Sequence, residues 1–195
     1  MFKTKLGLAT GICALALAPA ALALTIGGTN KGERIIGSKG ADAIYAKGGN
    51  DKVIARGGND KVQGGKGDDR VLGNGGDDEL RGSLGNDGIK GGGGNDVLFA
   101  GIGVDRLAGG NGNDVLHASA KPDVAEAGVD SLIGNRGNDR LRARDGEADL
   151  ISCGQGQDKA VLDETDVIVD ATGENPNGSC EHVKRAPVPE PVPGS

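Results

Sequence analysis

The sequence predicts an all-β fold: a parallel β-solenoid with a disulfide-linked cap at its C-terminal end. Three observations carry this reading: a nine-residue period that runs from Gly28 to His117 without an insertion, an acid at the sixth position of every unit, and an aliphatic residue at the eighth. The acids are Glu33, Asp42, Asp51, Asp60, Asp69, Asp78, Asp87, Asp96, Asp105 and Asp114. Two residues after each comes Ile35, Ile44, Val53, Val62, Val71, Leu80, Ile89, Leu98, Leu107 or Leu116. The fourth position is glycine from Gly40 to Gly112, Lys31 being the exception. So short a period fits a Gly-rich turn of about six residues followed by a strand of about three, coiled in parallel.

Two units make one coil of eighteen residues, so alternate units stack. Asp42, Asp60, Asp78, Asp96 and Asp114 then form one column of carboxylates, and Asp51, Asp69, Asp87 and Asp105 form a second below Glu33. Coils about 4.8 Å apart hold these charges well inside one Debye length, so each column repels itself unless cations lie between its members. The repeats offer carboxylates, Asn side chains and turn carbonyls, with one His and no Cys from residue 28 to 117. A hard cation with six to eight oxygen ligands suits that set, which selects Ca²⁺ over the stricter, water-retaining Mg²⁺. Glycine belongs in the same picture, because loops that bring carbonyls close, often at positive φ, penalise a side chain.

At these residues the chain closely resembles the hemolysin-type calcium-binding (RTX) nonapeptide repeat, G-G-x-G-x-D-x-U-x with U aliphatic; Gly64-Gly65-Lys66-Gly67-Asp68-Asp69 and Gly91-Gly92-Gly93-Gly94-Asn95-Asp96 are the fullest matches. The resemblance implies a calcium-dependent parallel β-roll. Each ion would lie between turns two units apart, held by the sixth-position acids of both and by loop carbonyls. Carried onto this chain, that pairs Asp42 with Asp60, Asp51 with Asp69, and so on to Asp96 with Asp114, with Gly64, Gly65, Gly67, Gly91, Gly92, Gly94, Gly109, Gly110 and Gly112 in the loops. Two later units add Asp130 and Asp139. Ala46-Lys47 and Ala55-Arg56 depart from the family's Gly-Gly.

Composition points to a fold that hydrophobic burial alone does not hold. The chain has 38 Gly and no Trp, and beyond residue 23 its only aromatic residues besides the histidines are Tyr45 and Phe99. A ladder of single aliphatics, helped at the ninth position by Ile36, Tyr45, Ile54, Leu72 and Phe99, buries little area while ordering many flexible glycines. At millimolar Ca²⁺ and the affinities of extracellular modules, each ion adds roughly 0.4 to 1.4 kcal/mol. Several ions together therefore reach the scale of a domain's whole stability, about 5 to 15 kcal/mol.

The ends divide the chain further. Lys3 and Lys5, an apolar stretch from Leu6 to Leu17 and a small-x-small Ala21-Leu22-Ala23 read as a secretory signal peptide over residues 1–23, whose removal shifts the net charge from −6 to −8. The regular repeats fill 24–117. A seven-residue insertion, 118–124, reads as an extruded loop, and two further units follow over 125–142. Over 143–184 the beat decays to Asp149-Leu150-Ile151, Asp158-Lys159-Ala160 and Asp166-Val167-Ile168, which reads as a terminal cap. Cys153 and Cys180, the only cysteines beyond the signal, form a disulfide in an oxidising compartment. The segment from Cys153 to Val183 also resembles the C-terminal portion of secreted actinobacterial proteins that carry these repeats. Residues 185–195, rich in proline, read as a disordered spacer.

An acidic chain has no electrostatic case for nucleic acid, and the apolar run is short for a transmembrane segment. The sequence contains no His-Glu-x-x-His, Gly-x-Ser-x-Gly or Walker loop, and its histidines are His117 and His182. The expectation is a non-enzymatic, secreted calcium-binding protein with a structural or surface-interaction role and an unspecified cell-surface or matrix partner. The alternative is the export and folding module of a secreted hydrolase or toxin-like effector.

Overall fold

The computed structural model describes residues 23–118, 128–170 and 178–187. The proposed signal peptide up to Leu22, nearly all of the expected 118–124 loop and the tail beyond Pro187 lie outside the described residues.

Two parallel sheets form the walls of a solenoid. One stacks, in order, β1 (Thr25–Gly27), β3 (Ala43–Gly48), β5 (Lys61–Lys66), β7 (Glu79–Leu84), β9 (Val97–Ile102), β11 (Val115–His117), β13 (Arg140–Ala143), β15 (Lys159–Leu162) and β17 (His182–Arg185). The other stacks β2 (Arg34–Ile36), β4 (Lys52–Gly57), β6 (Arg70–Gly75), β8 (Gly88–Gly93), β10 (Arg106–Asn111), β12 (Ser131–Arg136), β14 (Leu150–Gln155) and β16 (Val167–Ile168). Equivalent positions pair eighteen residues apart, as in Lys52 with Arg70, Val53 with Val71 and Ile54 with Leu72. Between β10 and β12 the offset widens to 25, Arg106 facing Ser131, so the extra seven residues leave the register of the coil intact.

The strands are longer than the sequence suggests. Most span six residues, from the seventh position of one unit to the third of the next, and the turn shrinks to three. Backbone pairing needs no side chain, so it runs on into the glycine segment, where Arg56 pairs with Asn74 and Gly57 with Gly75. Within each strand the faces alternate, as a pleated backbone requires. The sixth, eighth and first positions point inward and the seventh and ninth outward. The ninth position therefore does not feed the core as expected: Tyr45 is 49% exposed, and Phe99 stacks on His117 at 4.8 Å on the outer face, with the Arg81 guanidinium 3.9 Å from the Phe99 ring centre.

The interior is one aliphatic per strand, fully buried at Ile44, Val53, Val71, Leu80, Leu98, Leu107, Leu116, Leu132, Leu141 and Ile151. Beside it the inward first position is glycine or alanine through the regular coils and enlarges toward the C-terminus to Cys153 and Leu162. Larger side chains there close the end of the core. Cys153 is bonded to Cys180, with Cα atoms 5.1 Å apart and both side chains buried. The bridge ties β14 to the segment that enters β17, and the Cys153 N–H donates to Ser179 Oγ at 2.9 Å. Reduction is expected to lower the unfolding free energy by roughly 3 to 4 kcal/mol, read from denaturant midpoints with and without reductant. An unchanged midpoint would show that the terminal coils hold without it.

The fourth-position glycine has a steric cause. Gly76 sits at φ +115, and a Cβ there would lie 2.2 Å from the Gly58 carbonyl oxygen of the coil below. The second position also takes positive φ yet carries Lys47, Arg56, Asn74 and Ser83. Gly76→Ala is accordingly expected to destabilise the calcium-loaded protein by about 3 kcal/mol or more, while Asn74→Gly changes it little. Urea unfolding of both variants checks this, and equal effects would refute it.

Candidate metal centre

The sixth-position acids point into the solenoid because they share the inward phase of the strand that follows. Asp42, Asp51, Asp60, Asp69, Asp78, Asp87, Asp96, Asp105, Asp114, Asp130 and Asp139 are all buried. One oxygen of each ties neighbouring coils together: the Asp42 N–H donates to Asp60 Oδ1 at 2.7 Å, Asp60 to Asp78 at 2.8 Å, Asp78 to Asp96 at 2.9 Å and Asp96 to Asp114 at 2.8 Å. The second column repeats this from Asp51 through Asp69 and Asp87 to Asp105. The pairs at eighteen residues expected from the sequence are thus neighbours in space.

Both columns run on past the insertion. Asp105 donates to Asp130 and Asp114 to Asp139, then Asp130 to Asp149, Asp139 to Asp158, Asp149 to Asp166 and Asp158 to Glu181. Asp149, Asp158 and Asp166 were visible in the sequence as a decaying beat. Glu181 was not, since 23 residues separate it from Asp158.

The second oxygen is the unusual one. Oδ2 of Asp51, Asp60, Asp69, Asp78, Asp87, Asp96, Asp105, Asp114, Asp139, Asp149 and Asp158 is buried and has no hydrogen-bond partner among the described residues. Desolvation raises these carboxyls, the accepted backbone N–H offsets part of the rise, and like charges add to it in most of them. Asp60, Asp69, Asp96, Asp105 and Asp139 reach about 6, Asp78, Asp87 and Asp114 about 7, and Asp149 about 8. Asp130, also pushed up to about 7, belongs to the same series. A buried carboxylate oxygen with no donor calls for a proton or a cation.

The glycines named from the sequence border these oxygens. Gly64, Gly91 and Gly109 face inward, where a Cβ would come within 2.4, 2.2 and 2.3 Å of Oδ2 of Asp69, Asp96 and Asp114. Gly65, Gly92 and Gly110 occupy the second position and Gly67, Gly94 and Gly112 the fourth, each pressed on a carbonyl of the preceding coil. At the fifth position the Asn and Asp side chains build a separate, exposed ladder of opposite sense: Asp68 N–H donates to Asn50 Oδ1 at 3.0 Å, Asn86 to Asp68 at 2.8 Å and Asn113 to Asn95 at 2.9 Å. The sequence offered these side chains as oxygen donors, and their structural use is to pair backbone N–H groups between turns.

Parallel coils with inward carboxylate columns and unpartnered hard oxygens define a repeat solenoid whose chemistry is that of a divalent-cation binder. Comparison with known families agrees: the model of the RTX calcium-binding nonapeptide repeat matches in four copies, over residues 27–62, 54–89, 82–116 and 124–159. The chain belongs to that family. A search of curated proteins finds no match. No helix among the described residues is long and apolar enough to cross a membrane.

Proposed function

We propose that this is a secreted calcium-binding β-roll in which Ca²⁺ held between stacked turns, at the sixth-position acids and the glycine loops, makes the fold stable and rigid, and that this rigidity serves a structural or surface-interaction role. The supporting observation is the run of buried Oδ2 atoms without hydrogen-bond partners, aligned at steps of one coil. When bound, Ca²⁺ would supply the positive charge that these oxygens lack and accept their lone pairs. The chain's own residues do the rest: Oδ1 fixes each carboxylate to the coil before it, a small first-position residue, glycine in most units and alanine at Ala46, Ala55 and Ala100, lies beside Oδ2, and the aliphatic at the eighth position seals the column from water. Secretion fits the signal-like N-terminus and the disulfide, because Ca²⁺ is abundant outside the cell and an oxidising setting keeps the bridge closed.

Calorimetric titration of the metal-free protein, run beside far-UV circular dichroism, tests this. Multi-site uptake at submillimolar to millimolar Ca²⁺ is expected, with β-sheet signal gained in parallel and removed by chelator. A spectrum indifferent to chelator, together with no uptake at millimolar Ca²⁺, would overturn the proposal.

A further inference from the structure

The turn joining β13 to β14 departs from the nonapeptide pattern. It carries Asp145, Glu147 and Asp149, with Gly146 at φ +99 between the first two. One carboxylate oxygen from each of the three lies within 4.8 Å of the others. Two oxygens on a single Ca²⁺ at 2.3 to 2.6 Å can stand up to about 5 Å apart, so this spacing suits one ion.

Adjacency to other acids does not by itself make a site, and the next turn shows why. Asp163 and Asp166 are also buried, but their oxygens are engaged: Asp163 Oδ2 accepts from Gly146 N–H at 2.9 Å, Asp163 Oδ1 from Thr165 N–H at 2.9 Å, Asp166 Oδ1 from Asp149 N–H at 3.1 Å and Asp166 Oδ2 from Asp163 N–H at 2.8 Å. Asp149 differs. It is completely buried, its Oδ1 accepts from Asp130 N–H at 2.9 Å, and its Oδ2 accepts nothing. Neither Asp149 nor Glu147 forms an ion pair with a described residue. Glu147 Oε2 accepts the Gly128 N–H at 2.9 Å and Asp145 Oδ1 accepts the Glu147 N–H at 3.1 Å, so the backbone holds the carboxylates in place.

We propose that Asp145, Glu147 and Asp149 form a second kind of Ca²⁺ site, separate from the nonapeptide ladder although it borrows Asp149 from it. Three carboxylates from one turn bring more negative charge to an ion than two sixth-position acids from stacked turns, and ligand charge count sets the affinity of oxygen sites. This site fills first. It joins the coil that begins at Gly128, through Glu147, to the coil at Asp163, through Gly146, so filling it orders the C-terminal coils before the rest.

The test is a Ca²⁺ titration of the full chain with a chelator-buffered series of free concentrations, read as ions bound per chain. Wild type is expected to show one equivalent bound at free Ca²⁺ at least tenfold below the midpoint of the remaining uptake. Glu147→Gln, which keeps an oxygen to accept the Gly128 N–H, is expected to lose that early equivalent while the later phase persists. In Asp60→Asn, a ladder variant, the early equivalent stays. A single-phase wild-type titration, or a Glu147→Gln curve that overlays wild type, overturns the inference. A wild-type titration that stops at the early equivalent with no later uptake would instead sink the ladder reading, so the two failures are distinguishable.

Discussion

Stripped of Ca²⁺ at pH 8, the chain is expected to lose its β-sheet signal and to recover much of it on acidification toward pH 4.5. The ladder carboxyls stand at about 6 to 8 in the fold, against roughly 3.9 in an unfolded chain. Between those values the folded state binds more protons, so metal-free stability falls as pH rises through 6 to 8 and is fully present below about 4. Most globular proteins behave in the opposite sense at the acid end. With saturating Ca²⁺ the slope reverses, because the ion must displace those protons: half-saturation is expected to move to higher Ca²⁺ as pH falls from 8 to 5. Circular dichroism of chelated protein from pH 4.5 to 8, followed by Ca²⁺ titrations at the two ends, checks both signs. A metal-free spectrum that is flat across that range would remove the electrostatic account of why the columns need a cation.

Neutralising one ladder carboxylate should divide metal-free from calcium-loaded stability. Asp78 lies mid-column: its Oδ1 takes the Asp60 N–H at 2.8 Å, its own N–H is bound to Asp96, and its Oδ2 is buried without a partner. Desolvation, and after it the charges of Asp96, Asp60 and Asp77, hold its pKa near 7. Asparagine keeps the Oδ1 acceptor and removes the charge, at the cost of an unpaired amide donor of about 1 to 3 kcal/mol. Asp78→Asn is therefore expected to raise metal-free stability at pH 8, to leave it equal or lower at pH 5 where Asp78 is already protonated, and to weaken Ca²⁺ uptake at the two ladder steps that use it. Denaturant midpoints at pH 5 with and without Ca²⁺ and at pH 8 with Ca²⁺, together with the residual β-sheet signal of the chelated protein at pH 8, give four readings whose signs must cross. Uniform destabilisation in all four conditions would mean that the carboxylate serves the fold whether or not a cation is present.

How much of this was legible beforehand depends on the range of the interaction. The period from Gly28 to His117 displayed the coil, the eighteen-residue pairing of Asp42 with Asp60 and its successors, and the aliphatic wall, since each follows from counting along the chain. The places of Asp130 and Asp139 in the two columns were likewise readable as a resumed beat. The length of the strands was not, because glycine-rich segments look like turn and yet pair their backbones as well as any other residues do. Tyr45 and its ninth-position companions looked like core by their apolar character, and the pleat turned them outward. Asp145 and Glu147 escaped notice because they lie outside the nonapeptide frame, although their alternation with Asp149 was there to be read.

The sequence by itself determined the repeating coil, the identity of the column acids and the oxygen chemistry that favours Ca²⁺, because a strict period forces equivalent residues to stack wherever the backbone pairs in parallel. Tertiary structure alone decided which carboxylate oxygen is spent on the neighbouring coil and which is left without a partner, that Glu181 closes a column begun far upstream, and that three acids of one turn converge. Those outcomes depend on distances of a few ångströms between coils, and spacing along the chain does not encode them.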